Sequence, residues 1–332
     1  MKSTVHPRLT VRQLITTPRG FAGFLVAIVA LPAFVSVGLA TEILLLGIFA
    51  LSYNLMFGFT GLLSFGHALF LGVGAYATGL IVIHFGVPVI PTIAIVLLLG
   101  LLLSAVIGLI SIRLTGIAFA MVTLAFAQLG YELSIQLRSI TGGEDGLLGI
   151  YRPSMFGLGL IDLNEPLVFY AFSALIAVLC VGYTYLLSRS LFGRTLTAIR
   201  TNEERTAALG VNTYRVKVAV FTIAGGMAAV AGALWSLYLQ FISPEVLFWT
   251  YTGDAILYTL IGGMYSVMGP ILGAGFLRSA ERLLFPTEPG YWNVVIGTIF
   301  VLIVLFERSG LVGLVERIAA TIPYPNPFER DR

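Results

Sequence analysis

From Pro88 to Ile112 the chain runs without one charged residue, and Leu, Ile, Val and Ala make up most of it. About 20 such residues are enough to cross the hydrocarbon core of a bilayer. The run is one of several. The whole chain of 332 residues is 58% hydrophobic and 11% charged, where a soluble domain averages about 25% charged. No globular core buries that much apolar surface, so the chain reads as an all-α, multi-spanning membrane protein. Its 37 glycines fit this reading, because small residues let helices approach closely in lipid.

The expected spans follow in order. Phe21–Gly38 is the first, with Pro32 as a kink. Ile43–Phe57 follows a tight turn carrying Glu42. Leu62–Phe85, Pro88–Ile112 and Gly116–Leu133 come next. A polar stretch, Gln136–Glu165, separates them from Leu167–Leu187. Ser188–Lys217 is an island of charge holding six Lys and Arg. Val218–Leu239 resumes the apolar pattern. Tyr251–Phe285 is apolar but broken at Gly262-Gly263 and Gly269-Pro270, and Trp292–Phe306 is the last run. Read as a hairpin, Tyr251–Phe285 brings the total to about ten membrane segments, within an expected range of 8–10 helices.

Cationic residues near span ends mark the cytoplasmic side. Lys2, Arg8, Arg12 and Arg19 precede the first span, and six more lie in the island, whereas 136–165 holds only Arg138 and Arg152. Residues 1–20 and 188–217 are therefore expected inside and 136–165 outside. Arg308, Arg317, Arg330 and Arg332 put the tail, 307–332, inside as well. That choice places Arg278 and Arg282 at the outer face. Gly310–Ile322 has the pattern of an interfacial amphipathic helix. The N-terminus is basic without a small-residue cleavage pattern, so it reads as a cytoplasmic lead-in rather than a signal peptide.

Four stretches carry candidate function. Leu51–Ala77 is dense in glycine, including Gly66 and Gly72, and carries Asn54, Ser64, His67 and Tyr76. Close helix packing is one reading. The other is a broken helix whose freed backbone lines a path, since non-helical backbone at depth is tolerated there or inside protein. His67 is either a neutral hydrogen-bonded histidine or a functional ionisable group. Arg113–Gln128, with Thr123 and Gln128, joins the candidate path. Thr141, Gly142, Gly143, Glu144, Asp145 and Gly146 form an acidic turn, read either as simply solvated or as an outer loop that receives a partner. Asp254 either caps a helix at the interface or faces the pore.

The island is the fourth. Asn202 is placed to cap a short helix from Glu203 to Leu209, with Gly210 at its end. Such a helix serves as a positive-inside anchor or as a knob that docks into another protein. The chain has no Gly-rich phosphate loop ending in Lys-Ser/Thr, no metal-ligand spacing and no nucleophile elbow. One cysteine, Cys180, lies within a span and reads as a small core residue.

Together the motifs NLMFGFTGLLSFGHALFLGVGAY (54–76), RLTGIAFAMVTLAFAQ (113–128), TGGEDGL (141–147), GRTLTAIRTNEERTAALGVN (193–212) and IGGMYSVMGPILGAGF (261–276) resemble the LivM-type permease subunits of ATP-binding-cassette importers for branched-chain amino acids. The resemblance covers about Glu42 to Phe306. It implies a LivH-like second permease, two cytoplasmic LivG- and LivF-like ATPases, and a periplasmic or lipid-anchored binding protein. It implies that this chain binds no cofactor, ATP and Mg being used by the ATPases. It makes Ala198, Ile199, Arg200, Asn202, Glu203, Glu204, Ala207, Leu209 and Gly210 the expected coupling segment, with departures from the usual pattern at Arg205 and Thr206. The same machine with urea, short amides or other amino acids as cargo is the nearest alternative. An ion-coupled transporter would call for more embedded carboxylates than Asp254 and Glu132.

Overall fold

The computed structural model describes residues 18–156, 162–264, 266–284, 294–298, 301 and 310–313. Among these the architecture is all-α, and the one β-bridge joins Leu147 to Ile242. Helix α1 is Pro18–Phe34, α2 Val37–Thr60, α3 Ala68–Phe85, α4 Val89–Ser111, α5 Gly116–Gln136 and α6 the single turn Arg138–Thr141. Helix α7 is Pro166–Arg189, α8 Leu191–Thr201, α9 Glu203–Ala208, α10 Thr213–Leu239, α11 Trp249–Gly262 and α12 Gly269–Leu284. Six of them (α2, α3, α4, α5, α7 and α10) are long and apolar enough to cross a membrane. The expected last span, 292–306, and the expected amphipathic helix, 310–322, lie mostly outside the described residues.

Helix α2 is the axis of the molecule. Twenty of its 24 residues are buried, as expected for a helix that is apolar on every face. It is enclosed by α7, α10, α11 and α12. Helix α10 packs in turn on α3 and α4 through small residues. A Cβ on Gly74 would meet the Ala229 backbone, one on Gly232 the Leu71 carbonyl, and one on Gly225 the Ser104 side chain. The exposed apolar faces belong mainly to α4 and α5, where Leu102, Val106, Ile117 and Met121 point outward.

Two boundaries differ from expectation. No turn carries Glu42. The break between α1 and α2 falls at Val35 and Ser36, and Ser36 accepts a bond from the Leu39 N–H at 3.3 Å as an N-cap. Glu42 is thus carried inside α2 and buried. The segment expected to be helical from Leu62 is non-helical from Gly61 to His67. Side chains satisfy part of the backbone here. The Phe65 N–H bonds Thr123 Oγ1 at 3.2 Å, the Gly66 N–H bonds Ser64 Oγ at 3.2 Å, and the Ala68 N–H bonds Thr252 Oγ1 at 2.8 Å. Ser64, Gly66 and His67 of this irregular stretch are buried in protein, the condition that permits such backbone at depth.

The broken segment after Tyr251 is a hairpin. Gly262 abuts Gly269, Tyr258 abuts Gly273, and Asp254 approaches Arg278, so position i of α11 faces a position that falls as i rises, and the helices are antiparallel. At 14 and 16 residues and about 1.5 Å per residue, each is shorter than the hydrocarbon core is thick.

Candidate coupling and translocation sites

Side-chain caps build the island. Ser190 accepts from the Gly193 N–H (3.2 Å) to start α8, Asn202 from Arg205 (2.8 Å) to start α9, and Asn212 from Arg215 (3.0 Å) to start α10. A cap of this kind is worth about 1 kcal/mol. Gly210, at φ +88°, turns the chain from α9 toward α10 in a conformation that favours glycine. The expected helix from Glu203 is therefore present as α9.

One face of this knob is anchored and the other is free. Leu196, Ile199 and Thr206 are buried. Lys217, 5% exposed at the start of α10, meets Glu203 Oε2 at 2.5 Å. Arg200 donates to the Gly58 carbonyl near the end of α2, and its other terminal nitrogen lies 3.9 Å from Met264 Sδ. Met264 sits in the turn of the α11–α12 hairpin, and Asn54 Nδ2 donates to the Ser266 carbonyl in the same turn at 2.9 Å. The knob is thus bonded to both α2 and the hairpin turn. Ala198, Glu204, Arg205, Ala207, Leu209 and Gly210 face outward, Leu209 at 81% exposure.

The candidate path residues do not share one surface. Asn54, Ser64, Gly66, His67, Gly72 and Thr123 are all buried. His67 Nε2 lies 2.9 Å from Ser52 Oγ, and Phe49, Tyr53 and Phe70 surround the ring at centroid distances of 5.5, 5.5 and 5.7 Å. A Cβ on Gly66 would meet the Thr123 backbone, and one on Gly72 would meet Leu247. In this conformation these residues close helix contacts. Tyr76 borders an apolar cavity of about 420 Å³ between α3, α4 and α5. Gln128 bonds Glu132 at 2.9 Å on α5.

Asp254 lies elsewhere. It lines a cavity of about 360 Å³ between α11 and α12, with Arg278 and Glu281. Arg278 bonds Glu281 at 2.7 Å and approaches Glu42 at 3.5 Å and Asp254 at 3.9 Å, while Arg282 meets Glu42 at 3.1 Å. This five-charge cluster answers the difficulty raised by Arg278 and Arg282, because both stand beside carboxylates. Sequence reasoning treated the two arginines only as misplaced positive charges. The paired acidic residue Glu42 was the available signal.

At the end of the bundle away from the island, Thr141 Oγ1 donates to the Ser134 carbonyl at 2.5 Å, and Gly142, Gly143 and Gly146 all have positive φ. The resulting turn leaves Glu144 and Asp145 exposed. Arg152, not singled out by its sequence context, binds this loop region to α10. It donates to the carbonyls of Leu237 (2.8 Å), Tyr238 (3.1 Å) and Leu163 (3.1 Å) and lies 4.2 Å over the Phe169 ring. Burial lowers its pKa from the ordinary guanidinium value.

Residues 35–304 match the family described as the branched-chain amino acid transport system / permease component. The chain is 30% identical over 311 residues to the high-affinity branched-chain amino acid transport system permease protein LivM of Escherichia coli K12, covering 87% of this chain and 73% of that protein. Its counterpart from Salmonella typhimurium LT2 is 28% identical with the same coverage. The autoinducer 2 import system permease protein LsrC of Salmonella paratyphi B is 32% identical over 216 residues, 56% of this chain and 61% of that one. No solved structure matches the chain.

Proposed function

Because this chain belongs to the permease family of branched-chain amino acid transport systems, and within it to the LivM type, we propose that it is one of two membrane subunits of an ATP-binding-cassette importer. It passes leucine, isoleucine and valine across the bacterial inner membrane by alternating access. A LivH-like permease completes the path, LivG- and LivF-like ATPases bind below, and a periplasmic or lipid-anchored binding protein delivers cargo. The chain carries no ATPase site and no cofactor of its own. ATP and Mg act in the partner subunits. The N-terminus and the island face the cytoplasm, following the placement of Lys and Arg, and the turn at 141–146 faces the binding protein.

The observation that carries this reading is the island's two-sided construction. Its outward face offers Ala207, Leu209 and Gly210 to a partner, while its inward face is bonded to α2 and to the hairpin turn through Arg200. A push on α9 therefore reaches two elements at once. Closure of the ATPases moves the knob, the knob moves α2 and the hairpin, and the path between the two permeases changes side. Co-purification tests the assembly. A stable complex of this chain with a second permease and two ATPases is expected, and a chain that transports without ATPase partners overturns the reading.

A second reading keeps the machine and changes the cargo. It is favoured by the 32% identity to a permease named for autoinducer 2 import, and it extends to urea, short amides and other amino acids. Uptake assays in reconstituted vesicles separate the two.

A further inference from the structure

Three of the six spans, α4, α5 and α7, keep fewer than half of their residues buried. Lipid suits the exposed faces of two of them. Helix α4 exposes Leu98, Leu102 and Val106, helix α7 exposes Leu175, Leu179 and Leu186, and neither contains an acid or a carboxamide. Helix α5, the least buried of the six, is different. Ile117, Met121, Ala125, Gln128, Glu132 and Gln136 recur every three or four residues, which places them on one stripe of the helix. All are exposed except Gln128, which is half-buried.

The second half of the stripe is polar. Gln128 Nε2 donates to Glu132 Oε1 at 2.9 Å. A carboxamide is neutral, so this bond leaves the charge of the carboxylate in place. Met121 and Leu129 before Glu132, and Leu137 and Ile140 after it, are exposed and apolar. Glu132 therefore stands within the apolar zone of the surface rather than at its margin. Hydrocarbon offers a carboxylate no donor, and ionisable side chains in spans face protein or water. The opposite face of α5, with Phe119, Thr123, Ala127 and Ser134, is already buried in the chain's own core. Polar side chains on the remaining face suit a junction between helices of two subunits.

We infer that this stripe is the surface on which the chain packs against the second permease, whose facing helix brings a cationic side chain to Glu132. The inference rests on the importer reading above. It adds the helix, the face and the charged residue through which the two membrane subunits meet, and it leaves α4 and α7 to lipid.

The test uses the complete complex in lipid vesicles. Co-purification of the second permease with the wild-type chain reports on the importer reading alone, and its absence sinks that reading and the inference with it. Given co-purification, a photoreactive benzophenone side chain placed at Met121 is expected to cross-link to the second permease. The same group at Leu102 of α4 or Leu179 of α7 is expected to give no such product. Equal yields at the three positions, or a Met121 product made of two copies of this chain, overturn the inference. A second measurement addresses the charge. Glu132→Leu is expected to weaken binding of the second permease roughly tenfold, the loss of one charge-assisted hydrogen bond. If lipid or water covers the stripe, Glu132→Leu binds the second permease as wild type does, and that result overturns the inference. The cross-link retains Glu132 and so does not depend on this variant folding.

Discussion

Glu203, the first residue of α9, and Lys217, in the second turn of α10, form a 2.5 Å ion pair across the loop that ends in Gly210 and Asn212. The lysine side chain is 7% exposed and the glutamate 40%. Removing the acid therefore strands a buried cation, whereas removing both charges does not. Glu203→Gln is expected to destabilise the docking of α9 by about 2 kcal/mol, less than for a fully buried pair because Glu203 is partly solvated. In the assembled importer this variant should hydrolyse ATP with little uptake. The double variant Glu203→Gln/Lys217→Met should recover part of the coupling. Paired uptake and hydrolysis rates check it, and unchanged uptake per ATP in the single variant refutes it.

Leu209 is 81% exposed, whereas Leu196 and Ile199 on the preceding helix α8 are buried. A lone exposed leucine is common, but this one adjoins Ala207, Ala208 and Gly210, all exposed and none bulky. That makes a small convex apolar tip. Leu209→Asp is expected to abolish retention of the ATPase subunits on affinity purification while leaving the second permease bound. Retention equal to wild type would show that the tip is not the docking surface.

What could be read from the sequence was local. The Asn202 cap and α9 follow from neighbours three residues apart, and the glycines at 142, 143 and 146 mark a turn because positive φ suits them. The hairpin was marked by Gly262-Gly263 and Gly269-Pro270. What could not be read was which face of a helix is inside. Helix α2 is apolar all round, so periodicity gives no direction, and Asn54 or His67 reads equally as pore or core until its neighbours are known. The Arg282–Glu42 contact spans 240 positions. No spacing rule connects those two residues, and their partnership exists only once α12 lies along α2.

Arg152 makes its three hydrogen bonds to carbonyls of two separate segments, Leu163 before α7 and Leu237 and Tyr238 at the end of α10. A guanidinium can direct donors to all three, whereas an ammonium is a compact point donor. Arg152→Ala is expected to cost roughly 2–4 kcal/mol, since it leaves partly buried carbonyls unpaired. Arg152→Lys should fall close to it. Both should loosen the 141–165 loop and so raise its rate of proteolytic cleavage in intact vesicles. Cleavage of Arg152→Lys at the wild-type rate would mean that charge alone holds the loop.

The glycines of α3, α10 and α11 give opposite expectations for one substitution. A Cβ at Gly74 meets the backbone of Ala229, and one at Gly232 meets the Leu71 carbonyl, so neither obstacle is a side chain that can rotate away. Alanine there must push α3 and α10 apart, at about 1–3 kcal/mol each. Gly253, inside α11, has nothing within 4 Å of a built Cβ. Alanine there gains helix propensity, about 0.5–1 kcal/mol. The melting temperature of the purified complex should fall for Gly74→Ala and Gly232→Ala and hold or rise for Gly253→Ala. If Gly74→Ala and Gly232→Ala melt like wild type, the two helices have room between them and the close packing of α3 on α10 is refuted.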